Sequence, residues 1–262
     1  MENKIKKDKN FKEFLLTAFD EFYLRHKTAV SEVIFKDSEN PWQVEASFTI
    51  PGKGGFVFRN VKSGDEAILR SFRDRLSEDA REMFCPYPWD NENKLPDALK
   101  NAVTNATRGA DAAYLILTDN GMPVAHFFLW KAGGNPHSKK FGIEMPELGV
   151  AVADEYQGLG LGHFSVRILQ EVAHFLNLDG IELTTALSND AGWNTYLKTG
   201  FRHIDNIRNP LEVDATEIST PVVVGMKYRE ERQMAYIISP KKEQEILHYL
   251  EMKRNIYGEH MA

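Results

Sequence analysis

Residues 147–163 read Glu147-Leu-Gly-Val-Ala-Val-Ala-Asp-Glu-Tyr-Gln-Gly-Leu-Gly-Leu-Gly-His163, and no other stretch limits the fold as tightly. A strand pattern ends at Val152, a short loop follows, and glycines alternate at 158, 160 and 162. An amphipathic helix then places Phe164, Ile168, Val172 and Leu176 on one face. A glycine-rich turn from strand to helix lets successive backbone N–H groups point at one spot, where the helix N-terminus also points its dipole. Such a turn binds phosphate without side-chain charge. The dipole contributes only ~0.3–1 kcal/mol, so several N–H hydrogen bonds must supply most of the affinity. Two common uses of such a turn do not fit. The spacing lacks the last glycine of a dinucleotide-binding fingerprint and no parallel βαβ run precedes it, while His163-Phe164 stand where a P-loop needs Lys-Ser/Thr.

The surrounding pattern alternates strands and helices, which predicts a mixed α/β (α+β) class. Apolar side chains at helical spacing over 11–30 (Phe11, Phe14, Leu15, Ala18, Phe19, Phe22, Tyr23) predict an amphipathic helix. Strands are expected at 32–35 and 43–50 around a turn at 37–41, and Pro51-Gly-Lys-Gly-Gly55 is the expected boundary. After it, a strand at 56–61 leads to a helix capped by Ser63 or Asp65, then a helix opened by Ser77 and stopped by the prolines of Phe84-Cys-Pro-Tyr-Pro-Trp89. A helix over 96–107 precedes a hairpin, 112–118 with 122–131, turning at Asp119-Asn-Gly121. A loop over 133–142, strands at 147–152 and 181–186, and helices at 160–177 and 190–199 follow. Strands at 203–207 and 221–229 and a tail helix at 241–254 complete the reading. The expected domains are 1–55, an N-terminal helix-plus-hairpin extension, 56–229, and 230–262, a C-terminal helical tail.

Composition serves mainly to exclude. One cysteine, Cys85, in 262 residues rules out a disulfide framework and fits a reducing, cytoplasmic compartment. Its expected state is a small buried hydrophobe. The longest apolar run, 124–130, is strand-sized, so no membrane span is expected. The lysines before residue 13 have no apolar core behind them, which argues against a secretory signal and reads as a solvated helix start. Residues 56–229 hold 18 bases and 23 acids, so nucleic acid is not the expected partner. The eight histidines show no metal-binding pairing, and His163 and His174 are too far apart along one helix to share an ion, so no metal is expected.

The stretch Gln157-Gly-Leu-Gly160-Leu-Gly162 after a strand resembles the main motif of the GNAT superfamily of N-acetyltransferases, Arg/Gln-x-x-Gly-x-Gly/Ala. A second motif of that family matches too: Asn189 closes the strand Leu183–Ser188, with Tyr196 and Gly200-Phe201 at the usual offsets. Helices 64–76 and 77–84 look like the family's acceptor-side helices, and the resemblance spans roughly 56–229. It implies a central, mostly antiparallel twisted sheet in which one parallel strand pair splays apart, flanked by helices and here carrying both extensions. These extensions would cover a sheet edge or build a homodimer.

The resemblance also implies a site. Acetyl-CoA, as co-substrate, would lie between 147–152 and 183–188, its pantetheine arm bonded by backbone groups along Val150, Ala151 and Val152 as an added strand. Gln157, Gly158, Leu159, Gly160, Leu161 and Gly162 would hold its pyrophosphate, with Asn189 beside the arm and Asn194 assisting. A primary amine, on a small molecule or a peptide, would attack the thioester directly in a ternary complex after losing a proton, since its ordinary pKa is near ~10.4. The Val150 N–H would stabilise the oxyanion. Tyr196 matches the family's general acid for the departing thiolate; its other reading is a packed tyrosine between helix and sheet. Glu147 is the first candidate base, with Glu144, His126 or an ordered water as alternatives. The rings of 84–89 with Asp90 would either position an apolar-armed amine or anchor their loop to the core. The alternative function is a non-catalytic acyl-CoA-binding or regulatory module that keeps the loop without a working acid and base.

Overall fold

A computed structural model describes residues 10–25, 33–210 and 228–258. The chain divides into two compact units, residues 1–134 with 146–177, and residues 135–145 with 178–262.

In the first unit, helix α1 (Phe11–Arg25) is followed by strands β1 (Ile34–Asn40), β2 (Gln43–Ile50) and β3 (Gly54–Asn60). Helices α2 (Glu66–Arg73), α3 (Glu78–Met83) and α4 (Leu95–Thr107) come next. Strands β4 (Ala112–Thr118), β5 (Pro123–Trp130) and β6 (Glu147–Val152) complete the sheet, before helix α6 (Leu161–Phe175). The six strands pair in sequence order, every pair antiparallel. Burial along β2 alternates because one face alone is covered, whereas β4 and β5 are buried almost throughout because helices cover both faces. On one face Leu69, Phe72, Leu99 and Val103 of α2 and α4 pack on Leu115, Leu117 and Phe128. On the other, α1 and α6 meet over a ring cluster. The Phe19 ring lies 4.8 Å from Phe164, 5.5 Å from Phe48 and 5.9 Å from Phe35.

The second unit holds the short α5 (Pro136–Lys139), strand β7 (Gly180–Ala186), helix α7 (Asp190–Lys198), strands β8 (Arg202–Pro210) and β9 (Tyr228–Ile237), and helix α8 (Glu243–Gly258). Here β9 pairs antiparallel with both β7 and β8. Ile246, Tyr249 and Leu250 of α8 pack against Ile143, Met145 and Ala235. The fold class is the mixed α/β one expected, and the pairings within each unit are antiparallel.

Several local expectations change. The expected turn at 37–41 is mostly strand, because β1 runs to Asn40 and only Pro41-Trp42 turn the chain. Asp65 does not cap α2 with its side chain. It instead holds the Arg59 guanidinium at 2.6 and 2.9 Å and accepts the Lys62 N–H. Ser77 does cap α3, accepting from the Ala80 N–H. The Pro51–Gly55 segment joins β2 to β3 within one antiparallel ladder. The last described strand, 228–237, continues past the expected 229 into the expected helical tail; residues 26–32 and 221–227 lie outside the described residues, as do the first nine.

Phe19 is fully buried and touches rings from β1, β2 and α6. Phe19→Ala should therefore cost about 3–5 kcal/mol in urea unfolding. A loss below about 1 kcal/mol would mean that α1 is a dispensable attachment.

Candidate active site

The glycine turn folds as a cradle. After β6 a single 3₁₀ turn, Asp154–Tyr156, leads into Gln157 in extended geometry. Gly158 and Gly160 then take φ of +75° and +79°, the left-handed region that side chains disfavour. Gly160 is the N-cap of α6 and has no side chain to close the helix end, and no acid stands in the first turn. The backbone N–H groups of Gly158, Leu159 and Gly160 donate no hydrogen bond among the described residues. These donors and the first N–H groups of α6 fit an anion such as the coenzyme A diphosphate. Gly162 is different: a Cβ there would meet nothing nearer than a Val152 methyl at 4.0 Å.

Along β6, register places Glu147 opposite Trp130, Gly149 opposite Phe128 and Ala151 opposite His126, so these residues share a face. Gly149 is required there, since a Cβ would sit 2.2 Å from the Phe128 ring. Phe128 in turn stacks on Trp130 at 4.8 Å. Glu147 is half-buried, as are Val150, Ala151 and Val152. The Gln157 side chain turns back and donates to the Val152 carbonyl at 3.3 Å and to Asp154 at 3.1 Å. It is engaged inside the loop, and among the described residues its contacts are these two.

His126 is a core residue and not an accessible base. It is fully buried, with Nδ1 3.0 Å from the Tyr114 carbonyl and Nε2 2.9 Å from the Tyr87 hydroxyl. A carbonyl only accepts, so Nδ1 carries the proton and Nε2 accepts from Tyr87. Burial pushes the pKa of His126 down to about 4, against the smaller opposing pulls of the Tyr114 carbonyl and Asp65. The loop 84–89 anchors itself to this core: Phe84, Tyr87 and Trp89 are buried, and the Trp89 indole donates to the Phe84 carbonyl at 2.6 Å. Asp90 faces the guanidinium groups of Arg73 and Arg81 at 3.4 and 3.5 Å. Cys85, expected to be buried, is exposed, because the loop buries its neighbouring rings and turns the thiol outward.

In the second unit, Asn189 is the N-cap of α7. Its Oδ1 accepts the Gly192 N–H at 2.9 Å and its Nδ2 donates to Thr185 at 3.0 Å, so both ends of the amide are engaged. Gly192 leaves room for that amide, which a Cβ would approach to 2.5 Å. Asn194 donates to the Asp190 carbonyl on an exposed face. Glu144 lies 3.4 Å from Lys139. Tyr196 is buried with its ring 5.8 Å from Phe201, and burial pushes its phenol pKa well above the ordinary value. Among the described residues no group of His, Cys, Asp or Glu could hold a metal ion, and no helix is long and apolar enough to cross a membrane.

A strand, a left-handed glycine turn and an uncapped helix end together form an anion-binding class of site, and the sequence comparison makes the family explicit. The Acetyltransferase (GNAT) family matches residues 70–201, half of the chain. The chain belongs to that family, which makes it an acyltransferase. No curated protein matches it in sequence. Solved structures of like fold include the ribosomal-protein-S5-alanine acetyltransferase of Vibrio fischeri, at 14% identity and TM-score 0.53, covering 73% of this chain and 96% of that one. RimJ of Mycobacterium smegmatis, in complex with CoA-disulfide, is 17% identical with TM-score 0.53, over 86% and 94%. Spermidine N-acetyltransferase of Vibrio cholerae, in complex with CoA and spermine, is 16% identical with TM-score 0.51, over 70% and 95%.

His126 should stay neutral well below the usual range. Its imidazole resonances should not move between pH 7 and pH 5, an interval that spans the ordinary histidine pKa near ~6.5. The stability tied to its depressed pKa is then present above about pH 6.5 and declines as pH falls toward about 4. Titration of His126 near pH 6.5 would contradict the Tyr87–His126–Tyr114 arrangement.

Proposed function

We propose that the chain is an acetyl-CoA-dependent N-acetyltransferase that moves the acetyl group to a primary amine by direct attack in a ternary complex, working in the cytoplasm. The observation that carries this reading is the cradle of Gly158, Leu159 and Gly160 at the uncapped start of α6. The bound CoA of two fold relatives supports it. Residues 157–162 hold the diphosphate, and the backbone of Val150, Ala151 and Val152 holds the pantetheine arm. Asn189 sits beside the arm and Asn194 assists.

Acetyl-CoA supplies an activated thioester, so this chain's residues need only align the amine, remove its proton and stabilise charge. The Val150 N–H is the assigned oxyanion donor. Glu147 is the assigned base, half-buried at the start of β6. Tyr196 is the assigned acid for the leaving thiolate by its place in the motif; its buried phenol is protonated at neutral pH, and burial makes it the weaker acid. The acceptor is an amine of a small molecule or a peptide. The half-buried Trp130, opposite Glu147, suits one with an apolar arm.

Two substitutions test the reading. Gly162→Asp has room for its side chain, and an acid in the first helical turn favours the helix by ~0.3–1 kcal/mol. It should leave stability unchanged or raised while weakening acetyl-CoA binding in calorimetry about tenfold or more, through charge repulsion at the diphosphate. Unchanged affinity would remove the cradle from the cofactor site. Tyr196→Phe should lower kcat about 100-fold with acetyl-CoA affinity nearly intact, the range for loss of a general acid. Full turnover would return Tyr196 to a packing role.

A further inference from the structure

We infer that Asp154 is a positioning residue that ties the cofactor loop to the acceptor-side helix α3, so that filling the cradle stiffens the segment that follows Ser77. The inference rests on the assignment of 157–162 to the diphosphate. Asp154 divides its two carboxylate oxygens between two parts of the first unit. Oδ1 accepts from the Gln157 side chain at 3.1 Å, immediately before the glycine turn. Oδ2 accepts from the Ser77 backbone N–H at 3.1 Å, at the residue whose hydroxyl caps α3.

A second set of contacts runs alongside. The Asp154 N–H donates to the Arg75 carbonyl at 3.4 Å. Arg75 pairs with Glu155, and its guanidinium lies 5.8 Å from the Tyr156 ring centre. Tyr156 itself is seated edge-on against Phe56 and packs against the core beneath α2 and α4. Residues 75–77 and 154–157 are thus joined by backbone, charge and ring contacts although nearly eighty positions separate them.

Ala153, just after β6, is fully buried and donates to the Val124 carbonyl, which holds the chain before Asp154 in place. Gln157 also donates to the Val152 carbonyl, so part of any strain at 157–162 returns to β6 and part reaches Asp154. The second part is the one that carries the link. It passes through the exposed Asp154 carboxylate to Ser77, and from there to α3 and the loop 84–90. An ionised acceptor on a backbone N–H is among the stronger hydrogen bonds, so its loss is readable even at the surface.

The test is hydrogen exchange of backbone amides with CoA alone as the probe, on the full chain, in wild type, Asp154→Ala and Asp154→Asn. In wild type, CoA should slow exchange over both 158–164 and 77–84, the second by about fivefold to tenfold, the factor of one ordinary net hydrogen bond. Asp154→Ala should keep the CoA effect at 158–164 and lose it at 77–84. Asp154→Asn, which retains an acceptor oxygen, should restore part of it. With an active acceptor amine, Asp154→Ala should raise the acceptor KM more than it lowers kcat. Protection at 158–164 without protection at 77–84 in wild type would overturn the inference and leave the cofactor assignment standing. No protection at 158–164 would overturn the cofactor assignment itself. Equal protection of 77–84 in wild type and Asp154→Ala would remove Asp154 from the link.

Discussion

The packing of Phe164 decides where the first unit can hold an anion. Phe164 lies one turn into α6, its N–H bonded to the Gly160 carbonyl, and its ring sits among Phe19, Phe22 and Phe48. That contact pins the helix end which the glycine turn opens. A cradle of backbone donors works only if the donors are held in place before the anion arrives, because ordering them on binding would consume the affinity they provide. The cluster draws its rings from α1, β2 and α6, so the segment before residue 55 belongs to the support of the cradle. This is also why α1 covers a sheet face and not a sheet edge.

An acid that reaches the first turns of α6 is neutralised by its neighbours. Glu21 of α1 reaches His163, in the first turn of α6, at 2.9 Å and Arg167 at 2.7 Å. Burial alone would raise its pKa, but the bonds to His163 and Arg167 and the Arg167 charge outweigh it, so its carboxyl sits below the usual range. His163 is shifted downward, mainly by burial, so it need not be charged to donate from Nε2. The Glu21 charge is met mainly by Arg167, which is itself paired with Glu171 at 3.0 Å. An unpaired carboxylate at this point would repel a diphosphate; this one is held by a guanidinium.

Much of the fold was legible because its signals are local. Helical spacing in 11–25 and 161–175, the Asp119-Asn-Gly121 turn and the prolines after Phe84 each act within a few residues, and the structure has an element or a break at each. The glycine turn was legible for the same reason, since φ values of +75° and +79° demand glycine whatever surrounds them. What stays hidden depends on tertiary partners. Asp65 looks like a cap because Asp is a good cap, but Arg59, six residues earlier at the end of β3, offers two charge-assisted bonds in place of one. His126 could not be read as a sealed core histidine without Tyr87 and Tyr114 beside it. The role of Asp154 depends on Ser77, and no pattern of spacing connects them. The strand through 37–40 was missed because polar residues on an end strand look like a turn until the pairing with β2 is seen.

The acidic surplus of 56–229 takes on a different meaning once its partners are known. As a composition it suits a cationic substrate, yet several acids in the segments beside α2 and α3 are already matched. Glu92 meets Arg70 at 3.0 Å and Arg73 at 3.1 Å, Asp90 meets Arg73 and Arg81, and Glu155 meets Arg75. These are exposed pairs, each worth about 0–1 kcal/mol, so they serve orientation more than stability. An incoming ammonium would have to displace a guanidinium at every one of them. Under the proposed function, recognition of the acceptor would fall to the face of β6, where register sets Glu147 opposite the half-buried Trp130. A carboxylate beside aromatic faces binds an alkylammonium through charge and ring together, and it sits on the strand assigned to the thioester. Selectivity on this face would follow the length and polarity of the acceptor's arm, with net charge a secondary influence.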